Sequence, residues 1–129
     1  MTTTETRPQA AYLTVSDIAR LSGVAPSAVR FYEQHGLIVG ERTAGNQRRF
    51  YEVTACVIKV IRVAQRVGLS IAEIRELTAD LPAPRDFTMT EWFGLRQRLE
   101  DEVRARIQNL TEVLDDLTSD AKLCEVPPA

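Results

Sequence analysis

Two groups of side chains suited to holding phosphate lie close together in the N-terminal half of the sequence. One group is Ser27, Arg30 and Tyr32, and the other is Arg42, Arg48 and Arg49. Guanidinium groups bind phosphate oxygens through paired hydrogen bonds and can also bridge two acceptors on a guanine edge. Hydroxyl groups add neutral contacts to the sugar-phosphate backbone. The residue types therefore predict noncovalent recognition of nucleic acid.

The pattern offers no residues for catalysis. The only histidine, His35, has no nucleophile at a motif spacing, and we expect it to complement the end of a helix dipole or to meet phosphate. The sequence also has no glycine-rich phosphate loop, dinucleotide fingerprint or paired-carboxylate motif. We therefore predict a binding protein rather than an enzyme.

Two short helices are expected to position the first group. Thr14 is placed as an N-cap before a helical pattern that ends near Gly23, and Pro26 suits the first turn of a second helix that ends near Gly36. Two helices joined by a glycine turn are typical of a helix-turn-helix, in which the second helix enters the major groove. The alternative is an exposed helical hairpin that never meets DNA.

A basic hairpin is expected to position the second group. Residues 37–39 and 47–51 are predicted strands, and Gly45 and Asn46 are suited to the turn between them. The aromatic residues Phe50 and Tyr51 would either enter the core or lie along the DNA backbone. A helix-turn-helix followed by such a hairpin predicts a winged helix-turn-helix whose arginines contact phosphate. A solvated hairpin without a ligand is the alternative.

The rest of the chain is predicted to be helical. Residues 54–67 and 71–79 have helical patterns, and residues 81–84, which contain two prolines, interrupt them. A long helix over residues 89–119 carries one apolar stripe, which we assign to an antiparallel coiled coil between two copies. The stripe consists of Trp92, Leu95, Leu99, Val103, Ile107, Leu110, Leu114 and Leu117. The alternative is that this helix folds back on its own chain.

These elements divide the chain into five parts. We predict a flexible arm (1–11), a DNA-binding domain (12–80), a connector (81–88), a dimerisation helix (89–119) and a tail (120–129). Residues 1–75 carry ten basic and six acidic side chains, whereas residues 76–129 carry six basic and twelve acidic ones. This asymmetry favours one half that faces nucleic acid and another that faces water or a partner.

The expected cellular location of the protein rests on two features that the sequence lacks. No run of about 18 apolar residues is present, and the N-terminal residues have no apolar signal segment. We expect a cytoplasmic protein that does not contact a membrane. The two cysteines, Cys56 and Cys124, lie far apart, which predicts free thiols, and we expect Cys56 to be buried in a helix.

Several stretches resemble the MerR family of transcriptional regulators. These are VSDIARLSGVAPSAVRFYEQHGLI, AGNQRRFY, IRVAQRVGLSIAEI and LPAPRDFTMTEW. The sequence is most similar to the SoxR branch, through the AGNQRRF and RVAQRVGLSIAEI segments. The resemblance implies a homodimer that binds a promoter with an over-long spacer, bends and untwists the DNA, and acts on RNA polymerase. Phe50 stands where the family usually has tyrosine, so a hydroxyl that would contact phosphate is missing.

The signal to which such a regulator responds is expected to act through the residues after the dimerisation helix. SoxR-type regulators hold a [2Fe-2S] cluster with four cysteines that follow the dimerisation helix, where this sequence has only Cys124. We therefore expect no such cluster and predict no other cofactor. Cys124 is a reactive thiol that senses oxidants or electrophiles, a part of a metal or small-molecule site, or an inert residue. A protein-interaction adaptor that dimerises through the long helix is the alternative function.

Overall fold

The computed structural model describes residues 12–119, and it is mainly helical. The predicted arm (1–11) and the tail (120–129), which includes Cys124, lie outside these residues. The elements in chain order are α1 (Val15–Ser22), α2 (Pro26–Gln34), β1 (Glu41–Arg42), β2 (Arg48–Arg49), α3 (Val53–Arg66), α4 (Ile71–Leu77), a 3-10 turn (Pro84–Asp86) and α5 (Met89–Thr118). The predicted fold class, a winged helix-turn-helix followed by one long helix, is confirmed.

Three helices begin with reciprocal hydrogen bonds between an N-cap and the third helical residue. At α1 the Asp17 backbone N–H donates to Thr14 Oγ1, and the Thr14 N–H donates to Asp17 Oδ2, both at 3.0 Å. The same capping box starts α4 with Ser70 and Glu73, and α5 with Thr88 and Glu91. Each box satisfies backbone donors that the first turn leaves free. The local sequence therefore fixes where these helices start.

These carboxylates predict that the fold loses stability in acid. The Ser70 backbone N–H lowers the pKa of Glu73 below its ordinary 4.5, and Arg106 lowers it further. The Thr14 backbone N–H, followed by Arg20, lowers the pKa of Asp17 below 3.8. Because each pKa is depressed in the folded state, the stabilisation is fully present above the unfolded value. We expect it to be lost as pH falls through the folded value.

Thermal unfolding measured from pH 7 to pH 3 tests this expectation. Glu73→Gln should lower the melting temperature at pH 7 and flatten its decline below about pH 4.5, since the titrating group is gone. Glu76→Gln, an exposed change on the same helix, is the matched control. Parallel pH profiles for Glu73→Gln and the unchanged protein would contradict the role of Glu73.

The wing differs from the sequence-based prediction in its first strand. Residues 37–39 are not a strand, because Leu37 and Ile38 turn inward and fill the core. Strand β1 comes later, and it pairs antiparallel with β2 through Glu41 opposite Arg49 and Arg42 opposite Arg48. A short apolar run does not distinguish a strand from a buried loop, which explains the error. The turn places Asn46 at a φ of 62°, a conformation that asparagine tolerates.

One hydrophobic core joins the helices of the DNA-binding domain. Its fully buried side chains include Ile18, Val29, Phe50, Ile58, Ile61 and Ile74. Phe50 therefore enters the core, as does Tyr51, rather than lying on the surface. The prediction that Cys56 is buried is wrong. Its thiol is exposed because it lies on the outer face of α3, opposite the stripe that faces α1.

Helix α5 divides into two parts with different surroundings. Its N-terminal half packs on its own domain, where Leu95 and Leu99 are buried and Trp92 and Val103 are half-buried against the same core. The assignment of Leu95 and Leu99 to contacts with a second copy is therefore corrected, since their own chain covers them. The C-terminal half extends beyond the domain, and four of its large apolar side chains are 59–65% exposed. We call these four side chains the distal stripe: Ile107, Leu110, Leu114 and Leu117.

Two polar contacts attach α5 to α4, one within the packed region and one just after it. Arg98 Nε donates to the Leu77 carbonyl oxygen at 3.2 Å, and Arg106 Nη2 pairs with the Glu73 carboxylate at 3.3 Å. These contacts fix the direction in which the long helix leaves the domain. In the described range, no helix is both long and apolar enough to cross a membrane.

Candidate nucleic-acid interface

One face of α2 is exposed and polar enough to meet DNA. Ser27, Arg30, Phe31 and Gln34 are all exposed, at the spacing of a single helical face. Arg30 makes no hydrogen bond or ion pair with any residue of the range 12–119, so its guanidinium group is available to a ligand. The structure thus brings Ser27 and Arg30 together as predicted. Sequence analysis missed Phe31 and Gln34, although their spacing from Ser27 was a usable signal.

The predicted DNA contact of Tyr32 is corrected. This side chain is only 5% exposed, and its hydroxyl donates to Gln65 Oε1 on α3 at 2.9 Å. Tyr32 follows buried Val29 by three residues, so the helical period carries it to the inner face. Its role is to attach α2 to α3 rather than to reach a groove.

The C-terminal end of α2 is held by neighbouring groups. The His35 ring lies 4.2 Å from the Phe31 ring, centroid to centroid. The His35 carbonyl oxygen accepts hydrogen bonds from Arg75 Nε at 3.1 Å and from Arg75 Nη2 at 3.0 Å. Arg75 thereby satisfies a carbonyl group that a helix end leaves unpaired. This fastening gives α2 a fixed orientation against α4, as a helix that reads DNA requires.

The three wing arginines have different local partners. Arg42 Nη1 donates to the carbonyl and side-chain oxygens of Asn46 at 3.3 Å, which closes the turn. Arg49 donates to the Arg48 carbonyl oxygen at 2.9 Å and to Gln47 Oε1 at 2.6 Å. These contacts use only part of each guanidinium group, so donors are left for a ligand.

Arg48 differs because it forms an ion pair with Glu33 on α2. The carboxylate is 18% exposed and the arginine side chain is 34% exposed, so the pair is partly shielded from water. It ties the wing to the helix that carries Arg30. The positive charge of Arg48 is therefore partly neutralised by an acidic neighbour, which the sequence pattern did not reveal.

Gly40 allows the wing to approach α2 closely. A Cβ atom at this position would lie 2.7 Å from Phe50 Cε2 and 3.0 Å from Glu33 Oε2. Phe50 is fully buried and has little room to move. We therefore expect Gly40→Ala to lower the free energy of unfolding by about 1–3 kcal/mol, the usual cost of overpacking.

Chemical denaturation measures the effect of Gly40→Ala. Gly45→Ala is the matched control, because a Cβ there would find nothing closer than Thr43 Oγ1 at 3.8 Å. Equal stability of the two variants would show that the wing is free to move away from α2.

No metal centre is indicated among residues 12–119, where no three histidine, cysteine or acidic side chains come together. The described geometry instead combines an exposed helix face with an adjoining cationic hairpin. Such an arrangement can place base-edge contacts beside phosphate contacts on one duplex.

Comparison with known proteins identifies the family. A model described as MerR HTH family regulatory protein matches residues 13–81, and a second, described as MerR, DNA binding, matches residues 57–119. The chain belongs to the MerR family. It is a MerR-type DNA-binding transcriptional regulator, and the adaptor alternative is not favoured.

Curated MerR-family relatives are similar over most of the chain. A SoxR homolog of Chromobacterium violaceum, described as a transcriptional activator, is 37% identical over 107 residues, which cover 83% of this chain and 72% of that protein. The transcriptional regulator ZntR of Escherichia coli is 34% identical over 97 residues, covering 74% and 69%. These relatives are transcriptional regulators rather than enzymes.

Solved MerR-family structures share the fold. The MerR family regulator HiNmlR, which lacks the sensor domain and is bound to promoter DNA, is 25% identical with a TM-score of 0.51, covering 81% of this chain and 83% of that one. A MerR-family protein described as a putative transcriptional regulator of Listeria monocytogenes is 28% identical with a TM-score of 0.56, covering 82% and 80%. Both likenesses include the long helix as well as the DNA-binding domain.

Proposed function

We propose that this MerR-family regulator binds a pseudo-palindromic promoter as a homodimer and switches transcription by distorting the DNA, with RNA polymerase as its partner. The observation that carries the proposal is the distal stripe on a chain that also has the exposed face of α2 and the adjoining wing, which together we call the reading head. Four large apolar side chains at 59–65% exposure form one line along a helix that has left its own domain. A contiguous apolar surface of this kind is typical of an interface.

A second copy is the occupant that fits the distal stripe best. The stripe follows the three-and-four spacing of a coiled coil, and an antiparallel pair would bury it on both copies around a two-fold axis. Such an axis holds two α2 helices at a fixed separation, which matches two half-sites of opposite orientation. We place this activity in the cytoplasm, with its promoter DNA and RNA polymerase.

Distortion of the promoter follows from the family resemblance, and it has a physical rationale. A dimer whose reading heads do not match the spacing of undistorted half-sites gains its full set of contacts only if the DNA bends or untwists. The energy of that deformation depends on sequence, so it adds specificity at positions that the protein does not touch.

A gel mobility-shift titration with the regulator's own promoter tests binding, and in vitro transcription tests switching. We expect a salt-sensitive shift that a scrambled promoter of equal length does not give. Circularly permuted fragments should migrate differently if the DNA is bent. A shift that does not depend on sequence would overturn the proposal.

The signal that switches this regulator is a separate part of the proposal. We keep Cys124 as a candidate oxidant- or electrophile-sensing thiol. We also keep the proposal that no [2Fe-2S] cluster is held, because a SoxR-type ligand set needs four clustered thiolates and Cys124 alone follows α5 in this sequence. In vitro transcription with peroxide or an α,β-unsaturated aldehyde, comparing the unchanged protein with Cys124→Ser, measures this role. Identical responses would remove Cys124 from consideration.

A further inference from the structure

A cavity of about 260 Å³ lies at the junction of the DNA-binding domain and the connector. Its walls come from three parts of the chain: the segment 36–39 that follows α2, the first turns of α3 with the C-terminal end of α4, and residues 81–87. Most of the lining is apolar, and it includes Leu37, Ile38, Val57, Leu81 and Phe87. Since one water molecule takes up about 30 Å³ of liquid volume, the cavity has room for a molecule of roughly ten non-hydrogen atoms.

Thr54 is a buried polar side chain on the wall of this cavity. Only 2% of it is exposed, and its hydroxyl group makes no hydrogen bond with any residue of the range 12–119. A buried hydroxyl group without a partner costs free energy, and the large majority of such groups in folded proteins are paired. Thr54 therefore provides an unused hydrogen-bonding group next to the apolar walls.

Arg75 gives the cavity a positive charge. Among residues 12–119 it is the only charged side chain in the lining. Its Nε and Nη2 atoms both donate to the His35 carbonyl oxygen, whereas its Nη1 group has no partner in the same range. A guanidinium nitrogen and a hydroxyl group can both donate to one carboxylate, and the positive charge favours an anion over a neutral acceptor.

We propose that this cavity binds a small, mainly apolar molecule with one carboxylate group, and that the bound molecule changes the affinity of the protein for its promoter. The carboxylate accepts hydrogen bonds from Thr54 and Arg75, and the apolar part lies against the walls. The first step, binding, rests on the cavity alone. The second step, the effect on DNA, rests on the proposed function.

The position of the cavity links its occupant to the reading head. Arg75 holds the C-terminal end of α2 through the His35 carbonyl oxygen, and residues 36–39 follow directly after α2. The wall formed by residues 81–87 leads into α5, which carries the distal stripe. A molecule that contacts both sides favours the arrangement of α2 and α5 in which the cavity fits it best, and it thereby shifts the affinity for DNA.

Isothermal titration calorimetry of the full chain with sodium octanoate tests the binding step. Octanoate matches the expected size and has a single carboxylate group. We expect saturable binding with a dissociation constant below about 1 mM, and at least about tenfold weaker binding of octylammonium, which has the same alkyl chain and the opposite charge. The absence of saturable octanoate binding in this range overturns the site.

Substitutions distinguish the cavity from the exposed distal stripe, which also offers an apolar surface to an alkyl chain. Thr54→Val keeps the shape of the side chain and removes its hydroxyl group, so it should weaken octanoate binding at least about fivefold. Thr90→Val, an exposed change outside the cavity, is the matched control and should leave binding unchanged. Thermal unfolding of both variants checks that they fold.

Val39 allows a second test that does not disturb the core. It lines the cavity and is 55% exposed, so it lies at the edge. Val39→Glu places a negative charge near the carboxylate and should weaken octanoate binding, whereas Val39→Lys should not. Equal octanoate affinities for Thr54→Val, Val39→Glu and the unchanged protein would place the ligand elsewhere and overturn the site.

A gel mobility-shift titration of the promoter, with and without saturating octanoate, tests the second step. We expect the dissociation constant for DNA to change at least about fivefold, a usual size for coupling between two sites. Octanoate that binds without changing promoter affinity overturns the effect on DNA and leaves the site intact. A protein that binds octanoate but never binds its promoter overturns the proposed function, and the site again stands.

Discussion

Replacing Leu110 and Leu114 together with glutamate is expected to make the protein monomeric and to lower its affinity for a two-half-site promoter by roughly 10²–10⁴-fold. The two side chains are 65% and 61% exposed, so the substitution adds no charge to the folded core of one chain. In the proposed homodimer they would lie in the apolar interface between the two α5 helices, where four glutamates would meet. The loss of affinity follows because linked heads bind the second half-site at a high effective concentration.

The control for this variant adds the same two charges to the opposite face of α5. Ala105→Glu with Gln108→Glu changes two exposed positions outside the distal stripe. Sedimentation equilibrium should give a dimer for the control and a monomer for the stripe variant. Binding to a single half-site should be equal for both, since the reading head is untouched. A stripe variant that stays dimeric would show that other residues hold the copies together.

Helix starts were the part of this fold that the sequence predicted best. The helices predicted to start at residues 71 and 89 do start there, because the local capping pairs Ser70 with Glu73 and Thr88 with Glu91 form. The predicted long helix, residues 89–119, agrees closely with α5 at Met89–Thr118. Local hydrogen bonds determine these boundaries, so a short stretch of sequence contains the information.

The division of α5 could not be predicted in the same way. Periodicity shows that one face is apolar, but it does not show what covers that face. Leu95 and Leu117 belong to one repeating pattern, yet the first is buried by its own domain and the second is exposed. Deciding between them requires the direction in which α5 leaves α4, which Arg98 and Arg106 set through contacts distant in sequence.

For two candidate DNA contacts, the sequence does not reveal a partner that lies far along the chain. The sequence predicts a DNA contact for Tyr32 because its hydroxyl suits phosphate, whereas Gln65, far along the chain, binds that hydroxyl inside the protein. The sequence predicts that Arg48 contacts phosphate, and the structure shows that Glu33 on α2 already pairs with it. Residue type predicts what a side chain is able to bind, and the fold decides which partner reaches it first.

Arg30 has no partner among residues 12–119, whereas Arg48 pairs with Glu33, so their substitution should affect DNA binding differently. Arg30→Ala is expected to lower affinity for the cognate promoter by about 1–3 kcal/mol and to weaken binding to unrelated DNA much less. The reason is that Arg30 lies on the exposed face of α2 with no partner between residues 12 and 119, in the position from which a helix reads base edges.

Arg48→Ala should behave differently, because we expect the wing to contact phosphate rather than base edges. We expect weaker binding to all DNA sequences and a salt dependence reduced by about one phosphate contact. Removing Arg48 also leaves the Glu33 carboxylate unpaired near the DNA, which adds repulsion. Glu33→Gln isolates that contribution, and it should tighten binding to all sequences by freeing the Arg48 charge. Fluorescence anisotropy with promoter and scrambled duplexes, over a range of salt concentrations, measures the DNA affinity of Arg30→Ala, Arg48→Ala and Glu33→Gln.

Two results would contradict these assignments. If Arg30→Ala weakens promoter and scrambled DNA equally and lowers the salt slope, Arg30 is a phosphate contact rather than a reader of bases. If Arg48→Ala leaves the salt slope unchanged, the ion pair with Glu33 holds its charge in the complex as well as in the free protein. In that case the wing would bind phosphate through Arg42 and Arg49, whose partners are uncharged oxygens that leave their full charge available.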